Sequence, residues 1–319
     1  MKKRIKIVIA VIVLAAAVCA CMLVLRGKRI SQMEREQEEN VQDKSGQAKA
    51  DKDDGEQMTE KKTEQERPDK EKIEWNAEWT YAENSKIHTG TAILYYTQSD
   101  VYPEPKTICI NAGHGTEGGS SESTLCHPDG SPKVTGGSTS KGAVKATAIN
   151  EGTTLLDGTS EADMNLKIAK LVKTKLLEEG FNVLMIRESK DAQLDNIART
   201  VIANNNADCH ISIHYDSTES DKGAFYISVP EDETYRSMEP VASNWEKHHH
   251  LGQALIARLE DEGIKIYGEG SMPIDLTQTS YSTIPSVDLE VGDRASSAAE
   301  ETLESIADGI TAGVYSYFK

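Results

Sequence analysis

The sequence is poor in aromatic residues, in cysteine and in positive charge, and each shortage closes off a class of protein. Aromatics make up 5% of the 319 positions, with only 3 Phe. That is too few for a large β-sandwich, whereas Ile, Val, Leu and Ala are ample for an α/β core. Lys and Arg number 35 against 52 Asp and Glu, a formal charge of −17. So acidic a chain is unsuited to nucleic acid, whose binding draws largely on basic contacts to phosphate. The 5 cysteines are odd in number and include no CxxC pair, which argues against a disulfide framework and against a cysteine zinc site. No HExxH helix, no arginine obviously placed to clamp a peptide carboxylate and no internal repeat are present.

What is present falls into four segments. Residues 7–25 are an uninterrupted apolar run, with Lys2, Lys3, Arg4 and Lys6 before it and Arg26, Lys28 and Arg29 after it. The run is just long enough to span a bilayer core and longer than the apolar stretch of a cleaved signal peptide. Residues 1–29 are therefore expected to form an uncleaved transmembrane signal anchor. The small-residue stretch Val18-Cys-Ala-Cys21 leaves signal cleavage or lipid attachment as the alternative. Residues 30–74 carry almost nothing apolar and read as a disordered, charged linker, because they cannot bury enough surface to offset their ordering entropy. Residues 75–104, with Trp75, Trp79 and an apolar stretch at 91–97, are expected to add a short strand or hairpin ahead of the main domain.

The main domain is placed at 105–319. Strands are expected at 108–110, 181–186, 209–214, 224–229 and 286–291. Helices are expected from Glu161 to the glycine at 180, and at 194–204, 245–262 and 298–318. This alternation predicts a three-layer αβα domain with a mostly parallel sheet. Cys109 and Cys209 fall on core strands as small buried thiols. The Gly/Ser/Thr-rich connection at 116–160 is long for a compact domain, a length that marks a functional or a disordered loop.

Two predicted strands end on histidines, His114 and His214, and the first long helix opens on Glu161. Strand ends are where α/β sheets bind ligands. Two histidines and a carboxylate from three separate elements make a three-ligand zinc set with one coordination position open, the arrangement that activates water. Glu117 and Glu151 are alternative acids near this set; Glu161 is preferred because it begins the helix. His210 shares the strand face of His214 but lies about 13 Å away along the strand, too far to share one ion. It reads as a core histidine or one behind the site. The run at 248–250, three histidines near the start of a predicted helix, reads as a solvated helix end.

Four motifs, in order, carry a specific resemblance. Ile108-Cys-Ile-Asn-Ala-Gly-His-Gly115, Glu161-Ala-Asp-Met-Asn-Leu166, the stretch from Arg199 to Ser212-Ile-His214, and Pro285-Ser-Val-Asp-Leu-Glu-Val-Gly292 resemble the motifs of the family 3 N-acetylmuramoyl-L-alanine amidases, zinc enzymes of the bacterial cell wall. The resemblance covers about residues 106–318. It implies that His114, Glu161 and His214 bind Zn2+. It also implies that Glu290 is the catalytic general base, and that peptidoglycan is cut between N-acetylmuramic acid and L-alanine. An inactive peptidoglycan-binding or regulatory module, and a zinc peptidase on a related fold, are the alternatives. The resemblance further implies a catalytic domain outside the cytoplasmic membrane, anchored by the N-terminal helix, or secreted if the signal is cleaved. No protein regulator is identified. The chain departs from the family pattern at Asn111, where Asp is usual, and at His210, where an apolar aromatic is common. It departs again at Asp288, a second acid near Glu290, and after Gly292, where Asp293-Arg-Ala-Ser replaces an apolar residue followed by Asn.

Overall fold

The computed structural model describes residues 68–319. The apolar run at 7–25 and the charged stretch through residue 67 lie outside them. Among the described residues, no helix is long and apolar enough to cross a membrane. In chain order the strands are β1 (Lys70–Ile73), β2 (Ala92–Tyr95), β3 (Thr107–Ala112), β4 (Ser123–Leu125), β5 (Lys145–Thr147), β6 (Asn182–Met185), β7 (Cys209–Asp216), β8 (Ala224–Ser228), β9 (Ile266–Pro273) and β10 (Ser286–Asp293). The helices are α1 (Glu161–Glu178), α2 (Asn196–Asn206), α3 (Glu233–Ser237), α4 (Val241–Asp261), α5 (Thr277–Tyr281) and α6 (Glu300–Phe318).

Eight strands form one sheet in the order β1-β2-β6-β3-β7-β10-β8-β9. The pairs β6–β3, β3–β7, β7–β10 and β8–β9 are parallel; β1–β2, β2–β6 and β10–β8 are antiparallel. The central strands are apolar along most of their length because helices cover both faces. On one face Ile108, Ile110, Val183, Ile211 and Leu289 pack against Ile168 and Val172 of α1, Leu255 of α4 and Ile306 of α6. On the other, Cys109 and Leu184 pack against Ala198 and Ile202 of α2. The three thiols Cys109, Cys126 and Cys209 are free and buried.

The segment ahead of the main domain is built into the same sheet. β2 pairs with β6, and β1, which starts at Lys70 within the stretch assigned to the linker by composition, pairs with β2. Lys70–Ile73 suits an edge strand: one apolar residue, Ile73, faces the core, and the charged residues face water. Asp195, the N-cap of α2, ties the segment down. Its buried carboxylate accepts from Ala198 N at 2.8 Å and also from Ser85 Oγ, Lys86 N and Ile87 N.

The long connection at 116–160 is ordered. It carries the β4–β5 hairpin and is pinned at Asp275, whose buried carboxylate takes His127 Nε2 at 3.1 Å, Lys133 Nζ at 2.9 Å and Val134 N at 2.6 Å. One strand was not among those expected, and one expectation needs correction. β9 is a strand although its sequence shows no alternation, because it is an exposed edge strand interrupted by Gly268 and Gly270. The histidine run at 248–250 lies inside α4, which starts at Val241 rather than at residue 245. His248 is buried there, its Nδ1 accepting from Ser286 N at 2.9 Å. The helix begins seven residues, about two turns, before His248, so that run is not a solvated end.

Candidate active site

β3 ends at Ala112, and the chain turns through Gly113 into His114, which sits in the left-handed region at φ 62°. A non-glycine residue there costs about 1–3 kcal/mol and persists where its surroundings over-determine it. Two buried guanidinium groups do so. Arg187 donates to the carbonyl oxygens of Ala112 (2.9 Å) and Gly113 (2.9 Å), and Arg199 to those of Ala112 (3.1 Å) and His114 (2.6 Å). Burial lowers Arg187 to about 10; burial and the charge of Arg187 lower Arg199 to about 9. Both stay charged at neutral pH. Residue 113 has to be glycine: a Cβ there would lie 2.2–2.6 Å from the His214 ring.

Glu161 is the first residue of α1, behind the N-cap Ser160, whose hydroxyl accepts from Asp163 N at 3.2 Å. A carboxylate is stabilised at that end of a helix. His214 projects from β7. The turn geometry and the β3–β7 register bring three atoms together. His114 Nε2 is 2.8 Å from Glu161 Oε1, and His214 Nδ1 is 3.1 Å from each of them. Among the described residues this is the one group of three or more His, Cys, Asp or Glu side chains close enough to share an ion. Glu117 and Glu151 are exposed and outside it.

The donor atoms are presented for a cation. His114 Nδ1 lies 3.0 Å from the Asn150 carbonyl. A carbonyl can only accept, so Nδ1 carries the proton and Nε2 offers its lone pair to the cluster. Glu161 Oε2 accepts from Thr153 N at 2.8 Å, and Tyr215 N donates to Oε1 at 3.2 Å. Two imidazole nitrogens and a carboxylate oxygen at such separations repel one another unless a proton or metal ion sits among them, so the residues fit a metal. Burial would raise the Glu161 carboxyl, but hydrogen bonds and charge from His114 and His214 outweigh it and hold the carboxyl well below its usual range. His214 goes the other way. Burial lowers it, yet Asp288, Glu161 and Glu290 raise it to about 9.

Glu290 is the direct neighbour of His214 across the parallel β7–β10 ladder. Asp288 lies two residues earlier on the same face, its Oδ2 3.8 Å from His214 Nε2. Glu290 Oε2 and Asp288 Oδ1 are buried without a hydrogen-bond partner. Burial raises the Glu290 carboxyl well above its usual value, and the charge of Asp288 adds to this.

Below the donors the same face carries a polar floor. Asn111 Nδ2 donates to Ser212 Oγ at 2.8 Å, Ser212 Oγ to Gln278 Oε1 at 2.5 Å, and Gln278 Nε2 to Ser286 Oγ at 2.9 Å. Arg199 donates to Asn111 Oδ1 at 3.0 Å, so Asn111, unlike the usual aspartate, both accepts and donates here. Asp293, another departure from the family pattern, is fully buried. It accepts from Lys222 N at 3.0 Å and Ala295 N at 2.9 Å, closing the loop after β10.

Several contributors were not read from the sequence. Asn165 reaches Glu161 Oε1 at 3.4 Å from one turn along α1, and its i, i+4 spacing was a usable signal. Arg187, Gln278 and the carbonyl of Asn150 carry no such signal.

An α/β sheet with a His–Glu–His donor set at its strand ends, beside a glutamate left unpaired, is the layout of a metal-dependent hydrolase. The sequence profile of the N-acetylmuramoyl-L-alanine amidases matches residues 108–315, and the chain belongs to that family of peptidoglycan-hydrolysing enzymes. It is 29% identical over 224 residues to the uncharacterized Bacillus subtilis protein YqiI, covering 67% of this chain and 86% of that protein. Its fold resembles the N-acetylmuramyl-L-alanine amidase Ami1 of Mycobacterium smegmatis, with a TM-score of 0.54 at 18% identity over 66% of this chain and 96% of that one. Ami1 of Mycobacterium abscessus gives a TM-score of 0.53 at 17% identity over 67% and 99%. At these identities the likeness establishes the fold.

Proposed function

We propose that the chain is a zinc-dependent amidase that cleaves the bond between the lactyl group of N-acetylmuramic acid and L-alanine, with His114, Glu161 and His214 as zinc ligands and Glu290 as general base. The observation that carries this reading is the convergence of the three donor atoms at 2.8–3.1 Å, with the outer nitrogen of His114 held by Asn150. The chemistry a bound zinc ion supplies is Lewis acidity, which makes water a competent nucleophile at neutral pH and polarises the amide carbonyl.

The remaining work belongs to side chains of this protein. Glu290 has a buried oxygen with no partner and is free to take the proton of the attacking water and deliver it to the leaving amine. It is distinct from the ligand Glu161, whose two oxygens are already engaged by His114, His214 and Thr153. Arg187 and Arg199 fix the strand-end carbonyls and so the position of His114.

The deciding experiment incubates the zinc-loaded protein with purified peptidoglycan and identifies the new ends. New L-alanine amino termini together with muramic acid carrying a free lactyl carboxylate are expected. Free amino acids cut from the peptide stem would make it a peptidase, and retention on the wall without any new end would make it a binding module. The reading extends to location: the apolar run at 7–25 anchors the chain with its catalytic domain outside the cytoplasmic membrane, where the substrate lies. Protease added to intact protoplasts then removes the catalytic domain. Protection until lysis overturns that placement.

A further inference from the structure

We propose that Asp288 is a positioning residue for the metal site: it takes the Nε2 proton of His214 in hydrogen bonding and so presents Nδ1 of that ring, unprotonated, to the ion. This rests on the metal reading above.

The two histidines meet the cluster through different nitrogens. His114 uses Nε2, and its Nδ1 is held by the Asn150 carbonyl at 3.0 Å. His214 is turned the other way, with Nδ1 in the cluster, 3.1 Å from both His114 Nε2 and Glu161 Oε1. A neutral imidazole carries one proton. If Nδ1 is to give its lone pair, the proton has to sit on Nε2, and that N–H needs an acceptor to hold the ring. The acceptor group facing it is Asp288, with Oδ2 at 3.8 Å. That is ion-pair range, longer than a hydrogen bond, and a small side-chain adjustment closes it.

Asp288 has little else to do. Its side chain is 15% exposed, and its other oxygen, Oδ1, is buried with no partner. It stands in register with Ser212, but Ser212 spends its hydroxyl on Asn111 and Gln278, so the polar floor passes Asp288 by. A carboxylate at this depth is costly unless a donor or cation faces it. The His214 ring is that donor, and the arrangement is a carboxylate–histidine–metal relay on a strand position where this chain carries an additional acid.

The test uses the full-length chain with Asp288→Asn and Asp288→Leu. Zinc affinity, measured by chelator competition, is expected to fall about 10- to 100-fold in Asp288→Leu and less in Asp288→Asn, whose amide oxygen still accepts. In the zinc-loaded wild type, long-range proton–nitrogen NMR is expected to show His214 protonated on Nε2. Should Asp288→Leu fail to fold, the near-isosteric Asn variant and the tautomer spectrum decide the matter. Affinity within about twofold of wild type in both variants, or a proton found on His214 Nδ1, overturns the proposal. A His114→Ala control separates the two levels. If the wild type holds one zinc that His114→Ala loses while the Asp288 variants bind normally, only this role falls. A wild type that holds no zinc removes the metal reading and this role together.

Discussion

His210 and His214 occupy the same face of one strand, four positions apart, and their surroundings turn one residue type to opposite uses. His214 lies toward the C-terminal end of β7 among Asp288, Glu161 and Glu290, and these acids raise it to about 9 against the effect of burial. His210 lies deeper, fully buried, with neither ring nitrogen hydrogen-bonded. Burial, then the positive charge of Arg199 and the proximity of the His248 ring, push it down to about 3. His248, packed close by on α4, is likewise lowered to about 3, by burial and then Lys247. Proximity to carboxylates fits one histidine to face a cation, whereas enclosure beside a buried guanidinium keeps the other neutral down to about pH 3.

The largest expected difference between the two follows from substitution. His214→Ala should drop bound zinc below one per chain and abolish peptidoglycan hydrolysis, because three protein ligands hold an open site. His210→Phe should keep both. Metal analysis with a turnover assay checks this, and full zinc in His214→Ala would remove the ligand assignment.

Next in size is the neighbour of His214 on β10. Glu290→Gln should retain zinc and lose about 10²- to 10⁴-fold in turnover, the usual cost of a missing general base. If Glu290→Gln loses the metal while Glu161→Gln keeps it, the two glutamates have exchanged roles.

A third expectation concerns protons on His214. With His214 at about 9 in the metal-free protein, zinc has to displace a proton at neutral pH. Affinity should therefore rise roughly tenfold per pH unit from about pH 6.5 to about 9 and then level off. In the metal-free form the sign is reversed. The folded value lies above the unfolded one, so the stability contributed by His214 is full below about pH 6.5 and is lost as pH rises through 9. Chelator competition and metal-free unfolding at several pH values test the two halves separately.

The smallest effect falls on the deep histidine. Its folded value of about 3 lies below the unfolded one. Between about pH 6.5 and 3 the unfolded chain therefore binds the extra proton, and stability falls as pH falls. From pH 6.5 to 5 this amounts to on the order of 2 kcal/mol for one such group. His210→Phe should lose correspondingly less stability over that interval in urea unfolding. Equal acid sensitivity in wild type and variant would show that His210 is not held neutral.

The sequence by itself settled the local matters. Apolar alternation located β3, β6, β7, β8 and β10 to within a few residues, and the cap at Ser160 fixed where α1 begins and hence where Glu161 stands. The identities of His114, Glu161 and His214 as a set were legible because each falls at the end of such an element. Where the pattern carried no periodicity, as in β9, or where an edge strand is mostly charged, as in β1, the strand was invisible until its partner was known. Only the tertiary structure decided which groups surround each histidine. The Asn150 carbonyl behind His114, Asp288 behind His214, the guanidinium groups under the strand end and the enclosure of His210 and His248 all come from segments distant in sequence. Periodicity depends on neighbours along the chain, whereas burial, charge and hydrogen-bond partners depend on which strands and loops are brought side by side.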